Sequence, residues 1–170
     1  GPSKAIPLAT TWTLSMASGH MLDAAQDEGA MSGVNDAAIA LGAANIALSR
    51  LKADADTLLD ILDALGRATA LAASAQQAEL EGKGAPTRNS YFARIAGKAA
   101  TIIATGTWMG GRLATDDAQT LAMLKEFGLA QGMAIQIADD CEDLVADLMA
   151  GIFTLPVIEG LAKRGDRRLP

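Results

Sequence analysis

Only one cysteine, Cys141, stands in the 170 residues, so no disulfide can form within the chain, and a reducing cytoplasm is its expected setting. Aromatic residues are scarce at 4%. The apolar half of the sequence is mostly Ala, Leu, Ile and Met, side chains that suit a helix. Basic residues are outnumbered, with 14 Lys and Arg against 20 Asp and Glu for a net charge of −6. That balance argues against nucleic acid as a partner, because neutralising phosphates takes clustered Lys and Arg. Clustered carboxylates suit divalent cations better. Long apolar runs are missing too: the longest uncharged stretch near the start, Ala5 to Leu22, contains Pro7, His20 and several Ser and Thr. No transmembrane segment and no secretory signal are expected. Alternation of apolar and polar residues with period two is absent over any useful length, so no strands are expected either.

What the sequence does have is apolar and small residues at helical spacing almost throughout. This predicts an all-α helical bundle, one domain over residues 1–170. About five long helices can be drawn. The first runs from about Leu8 to Glu28 and the second from about Asn35 to Leu51, divided by Gly29, Ser32 and Gly33. The third is capped by Asp54 or Asp56 and reaches about Glu81, before Gly82, Gly84 and Pro86. The fourth is capped by Asn89 or Ser90, carries Ile95, Ala99, Ile102 and Met109 on one face, and ends near Leu113. Thr115-Asp116-Asp117 opens the fifth with acids that favour the helix dipole, and Gly151 closes it after about Ala150. Thr154 and Pro156 begin a short last helix. Gly106 with Gly110, and Gly128 with Gly132, predict close helix contacts, since Gly inside a helix costs about 1 kcal/mol against Ala and is kept for approach.

Two groups of acids interrupt this apolar pattern. In IQIADDCEDL, Asp139 and Asp143 are one helical turn apart and share a face, with Asp140 and Glu142 beside them. In GHMLDAAQDEGA, Asp23 and Asp27 repeat the spacing near the end of a helix, where negative charge opposes the dipole. Like charges so placed are either solvated or neutralised by cations. Two such pairs could hold Mg²⁺ ions around a diphosphate and stabilise the leaving pyrophosphate as a carbon–oxygen bond ionises.

In order and spacing these segments resemble the trans-isoprenyl diphosphate synthases, or polyprenyl synthetases, which are related to class I terpene synthases. MLDAAQDE is similar to the family's first aspartate-rich motif, DDxxD, and IADDCED to the second, with Gln136 at the family's Gln position. AQQAEL is similar to GQxxDL, with Gln76 and Glu79 at its polar positions, and Lys98-Ala99 falls where the family has Lys-Thr. DLMAGIFTLPVIEGL resembles DLxxGKxTLPxxxAL.

The resemblance implies the isoprenoid synthase fold, with acidic helix pairs facing a central cleft lined by small and apolar residues such as Ile102 and Gly132. It implies Mg²⁺ as cofactor, held by Asp23, Asp27, Asp139, Asp140 and Asp143. Catalytic roles fall to Asp23, Asp27, Asp139, Asp140 and Lys98, and substrate binding to Lys98, Gln76 and Gln136. The expected substrate is an allylic prenyl diphosphate of isoprenoid biosynthesis, ionised and then transferred or cyclised, and a homodimer or heterodimer is expected. The chain is short at both ends beside family members.

Several positions depart from the family pattern. Ala24 replaces the second Asp of the first motif, Ala99 replaces Thr, and Ile152 replaces a phosphate-contacting Lys. No Arg or Lys lies between Asp27 and Arg50, where paired arginines are expected. These losses support an alternative, a catalytically degenerate homologue acting as a partner or regulatory subunit of an active prenyltransferase. Trp12 and Trp108 are expected in core packing, His20 at an interior or boundary position, and Cys141, among acids, as unreactive.

Overall fold

The computed structural model describes residues 1–81 and 87–164, apart from the side chains of residues 27, 28, 79, 150 and 162–164. Among the described residues there is no strand. The helices are α1 (Pro2–Glu28), α2 (Met31–Ser49), α3 (Ala55–Leu80), α4 (Arg88–Ile95), α5 (Thr101–Arg112), α6 (Ala118–Glu142), α7 (Leu144–Ala150) and α8 (Leu155–Arg164), with a π-helical turn, Ala96–Ala100, between α4 and α5. No helix among the described residues is long and apolar enough to cross a membrane. Contacts divide the chain into two compact units, Gly1–Arg67 with Thr105–Leu124, and Ala68–Ala104 with Lys125–Pro170.

In the first unit α1 is longer than the apolar pattern suggests, because Pro2 sits in its first turn, where a missing N–H costs nothing. Its end is tight. Gly29 takes the left-handed conformation (φ 68°) and its N–H bonds the Ala25 carbonyl. The chain therefore re-enters helix at Met31, four residues before the expected Asn35.

Ala37, Ala40, Ala44 and Ala47 form the buried stripe of α2. With so little side chain between the backbones, α1 hydroxyls reach α2 carbonyls: Ser18 Oγ donates to Ala37 O at 2.9 Å, and Thr11 Oγ1 lies 3.3 Å from Ala44 O. Leu8, Leu48, Leu51, Ile61, Leu65 and Met109 make the core of this unit, with Trp12 and Trp108 packed against it. Gly106 is required there, since a Cβ would meet Trp12 Nε1 at 2.4 Å. Both tryptophans thus play the expected packing role.

Asp54 caps α3 as the sequence suggests, accepting from Thr57 N at 2.8 Å and Thr57 Oγ1 at 2.9 Å. Asp117 caps α6 through Thr120 N at 2.8 Å.

The second unit departs from expectation at two helix breaks. Thr87, rather than Asn89 or Ser90, caps α4: its Oγ1 accepts from Ser90 N at 3.1 Å while Ser90 Oγ accepts from Thr87 N at 3.0 Å. The expected fourth helix is also interrupted by the π turn at Ala96–Ala100, where Thr101 Oγ1 donates to Ala96 O at 2.7 Å. The expected fifth helix breaks at Asp143, so that α6 and α7 are separate. Tyr91, Ile95 and Ile158 form the core, joined by Phe92, Met133, Ile137 and Leu155.

Gly132 lets α6 touch the π turn. A Cβ there would come within 2.6 Å of Ala100 Cα and 3.2 Å of both Ala100 Cβ and Ile103 Cβ. Gly132 is therefore buried and closed against backbone on this side. Of the two glycine pairs, Gly106 and Gly132 make the expected close contacts, whereas a Cβ at Gly110 would meet nothing within 4 Å.

Candidate active site

The end of α6 places four of the expected site residues in the second unit: Gln136, Asp139, Asp140 and Asp143. They do not share one environment. Asp140 is buried at 6% exposure, and Tyr91 Oη donates to its Oδ2 at 2.6 Å across 49 residues of sequence. Gln136 Nε2 donates to its Oδ1 at 2.8 Å from one turn earlier. Both carboxylate oxygens of Asp140 are thus engaged by protein donors, the condition under which a buried charge is tolerated. Arg94 lies over the Tyr91 ring at 5.5 Å and brings a positive charge to the same network. Burial first, then the hydrogen bond to Asp140 and its negative charge, holds the Tyr91 phenol well above its ordinary value.

Asp139 and Asp143 are exposed. Asp143 stands at the break between α6 and α7; its N–H bonds Asp139 O at 2.9 Å, and its own carbonyl accepts from Asp147 N at 2.9 Å. Its side chain does not cap α7. Two solvent-facing carboxylates one turn apart, with oxygens free of cap bonding at Asp143, fit Mg²⁺. That ion keeps several waters and takes one or two carboxylates plus substrate phosphates rather than a full protein cage. No group of three His, Cys, Asp or Glu placed to hold a metal occurs among the described residues. Asp147, half-buried behind them, has its carboxyl raised above the ordinary value by burial and then by the charges of Asp140 and Asp143.

Two further expected residues belong to the same unit. Lys98 is half-buried on the π turn, and the adjoining Gly97 packs on α3, where a Cβ would meet Ala75 Cβ at 3.3 Å. Gln76, next to Ala75, is half-buried with Oε1 wholly covered. The first acidic segment lies in the other unit. Asp23 there is half-buried with Oδ1 covered, whereas the side chains of Asp27 and, on α3, Glu79 lie outside the described residues. His20 is exposed rather than interior.

Sequence reasoning missed Tyr91 and Asp147. Tyr91 is the only tyrosine, but it sits on an apolar helical face with nothing local to tie it to an acid on α6. Asp147 could have been found from its spacing, one turn beyond Asp143.

The family profile for polyprenyl synthetase matches residues 24–169. No curated protein matches the chain by sequence. In three dimensions the chain is similar to the crystal structure of geranylgeranyl pyrophosphate synthetase from Pyrococcus horikoshii Ot3, with a TM-score of 0.84 and 22% identity over 93% of this chain and 57% of that one. It is also similar to a geranylgeranyl pyrophosphate synthetase from the archaeon Geoglobus acetivorans, with a TM-score of 0.77 and 19% identity over 96% of this chain and 58% of that one. A decaprenyl diphosphate synthase from Rhodobacter capsulatus gives 0.78 and 23%, over 95% and 54%. The chain spans little more than half the length of these structures. At such identities the likeness is one of fold, the all-helical isoprenoid synthase fold.

Proposed function

The chain belongs to the polyprenyl synthetase family, and on that premise we propose that it is a Mg²⁺-dependent prenyltransferase domain acting on an allylic prenyl diphosphate. The observation that carries this reading is the pair of exposed carboxylates, Asp139 and Asp143, presented one turn apart beside an anchored Asp140. Bound Mg²⁺ would supply positive charge to the departing pyrophosphate.

The residues of the chain do the rest. Asp139 and Asp143 would hold and orient a Mg²⁺ ion in their unit, and Asp23 with Asp27 would do so in theirs. Lys98 adds a fixed cation for the diphosphate, with Gln76 and Gln136 as polar neighbours. Transfer to an acceptor and cyclisation of the prenyl cation are both compatible with this set.

A second reading has its own support. Ala24, Ala99 and Ile152, together with the stretch from Asp27 to Arg50 that lacks basic residues, remove groups the family uses on diphosphates. This favours a degenerate partner or regulatory subunit. Pyrophosphate release from geranyl, farnesyl and geranylgeranyl diphosphates, with and without Mg²⁺ and isopentenyl diphosphate, tests both. Mg²⁺-dependent release is the expected result; release only with isopentenyl diphosphate identifies elongation, and release without it identifies ionisation followed by cyclisation or hydrolysis. No release under any condition, from protein of intact helical signal, overturns the enzyme reading in favour of the partner.

A further inference from the structure

We infer that Tyr91 is a positioning residue for the acidic end of α6, and that Asp140 is its counterpart rather than a metal ligand. This rests on the reading of Asp139 and Asp143 as the metal-binding acids.

Consecutive residues on an α-helix point about 100° apart. Fixing the direction of Asp140 therefore fixes that of Asp139, and through the Asp143 N–H to Asp139 O bond of 2.9 Å it also fixes the break at which Asp143 stands. Asp140 is fixed from two sides, by Tyr91 at 2.6 Å and by Gln136 at 2.8 Å.

Tyr91 is itself rigidly placed. It is 2% exposed, packs edge-on against Phe92 with ring centroids 5.5 Å apart, and its N–H bonds Thr87 O at 2.9 Å within the reciprocal cap that starts α4. The arrangement thus ties a capped, buried helix start to the place where α6 gives way to α7. A carboxylate with both oxygens engaged in this way is poorly placed to ligate a cation. If released, it would repel Asp139 and Asp143 and disturb the placement on which their cation binding depends.

The test uses the full chain, Mn²⁺ as a paramagnetic stand-in for Mg²⁺, and inorganic pyrophosphate. Tyr91→Phe keeps the ring and its packing, and circular dichroism and thermal melting check that it folds. Partners that orient metal ligands typically matter by about 10–100-fold in affinity, and a loss of that size in Mn²⁺ binding, read by electron paramagnetic resonance with pyrophosphate present, is expected for Tyr91→Phe. In an Asp140→Asn background the same substitution is expected to change affinity by much less, since Tyr91 acts through Asp140.

Because Tyr91 is the only tyrosine, ¹³Cζ-tyrosine labelling gives a single resonance. It is expected to hold its position when Mg²⁺ and pyrophosphate are added, because Asp140 stays with the phenol. Unchanged or tighter Mn²⁺ binding by Tyr91→Phe, or a shift of the resonance toward that of a free phenol on metal addition, overturns the positioning role while leaving Asp139 and Asp143 as ligands. A wild-type chain that binds neither Mn²⁺ nor pyrophosphate overturns both readings.

Discussion

The helices that carry the two acidic segments are held by opposite means. Near Asp23, α1 meets α2 almost backbone to backbone, over the alanine stripe, the Ser18 bond to Ala37 O, and Gly33, where a Cβ would lie 2.9 Å from Ala25 Cβ. Near Asp139, α6 is held by long side chains, with Tyr91 and Gln136 gripping Asp140. Close backbones leave room only for small residues, so an acid on α1 sits at the margin and is half-buried. The side-chain network on α6 instead tolerates a fully buried carboxylate, and it sorts adjacent acids into one anchored and two presented.

The largest effect that would sharpen this contrast is on turnover. Asp139→Asn is expected to reduce the rate of Mg²⁺-dependent pyrophosphate release by about a hundredfold or more with the melting temperature nearly unchanged, because an exposed carboxylate contributes little to folding and a metal ligand contributes several kcal/mol to a charged transition state. Asp140→Asn should lower both, since it disturbs a buried network. Equal loss of stability in the two variants would erase the distinction between presented and anchored acids.

Glycine substitutions compare the packing modes directly. Gly132→Ala forces a Cβ against Ala100 backbone and should cost about 2 kcal/mol in urea unfolding, overpacking outweighing the helix propensity gained. Gly33→Ala brings a Cβ to 2.9 Å from Ala25 Cβ but no nearer than 3.5 Å to backbone, and should cost about 1 kcal/mol. The reverse order would show that the α1–α2 contact is the less yielding of the two.

Smaller effects follow pH. The Asp147 carboxyl is raised above its ordinary value of 3.8, so the folded chain holds that proton more tightly than the unfolded chain. The associated stability is fully present below about pH 3.8 and is lost as pH rises through the raised value. Asp147→Asn should therefore raise the melting temperature slightly at pH 7 and leave it unchanged near pH 3.

At the start of α3 the sign is opposite. The bond from Thr57 N, and then the bond from the Thr57 hydroxyl, lowers the Asp54 carboxyl, so its contribution is present above pH 3.8 and fades as pH falls through the lowered value. Asp54→Ala should lower the melting temperature at pH 7 by about 2–4 °C, with the difference from wild type shrinking in acid.

Helical content and most boundaries were legible in the sequence because they are local. Asp54 caps the helix expected of it, Gly29 and Gly151 supply left-handed turns with φ of 68° and 75°, and Gly106 and Gly132 keep their room for close contact, whereas Asp117 caps α6 instead of standing in its first turn. The acids were legible as well, through their four-residue spacing. Their separate roles were not. Spacing places Asp139, Asp140 and Asp143 on one turn of helix but carries no record of what lies against it. That Asp140 is buried under Tyr91 while its neighbours meet solvent depends on a hydrogen bond between residues 49 positions apart. The π turn at Ala96–Ala100 is likewise absent from propensity, because Ala, Gly and Lys favour no such bulge. Local chemistry determined the helices, their ends and the supply of carboxylates. Only tertiary packing, which decides which charges lose water and which donors replace it, determined which carboxylates remain exposed to solvent.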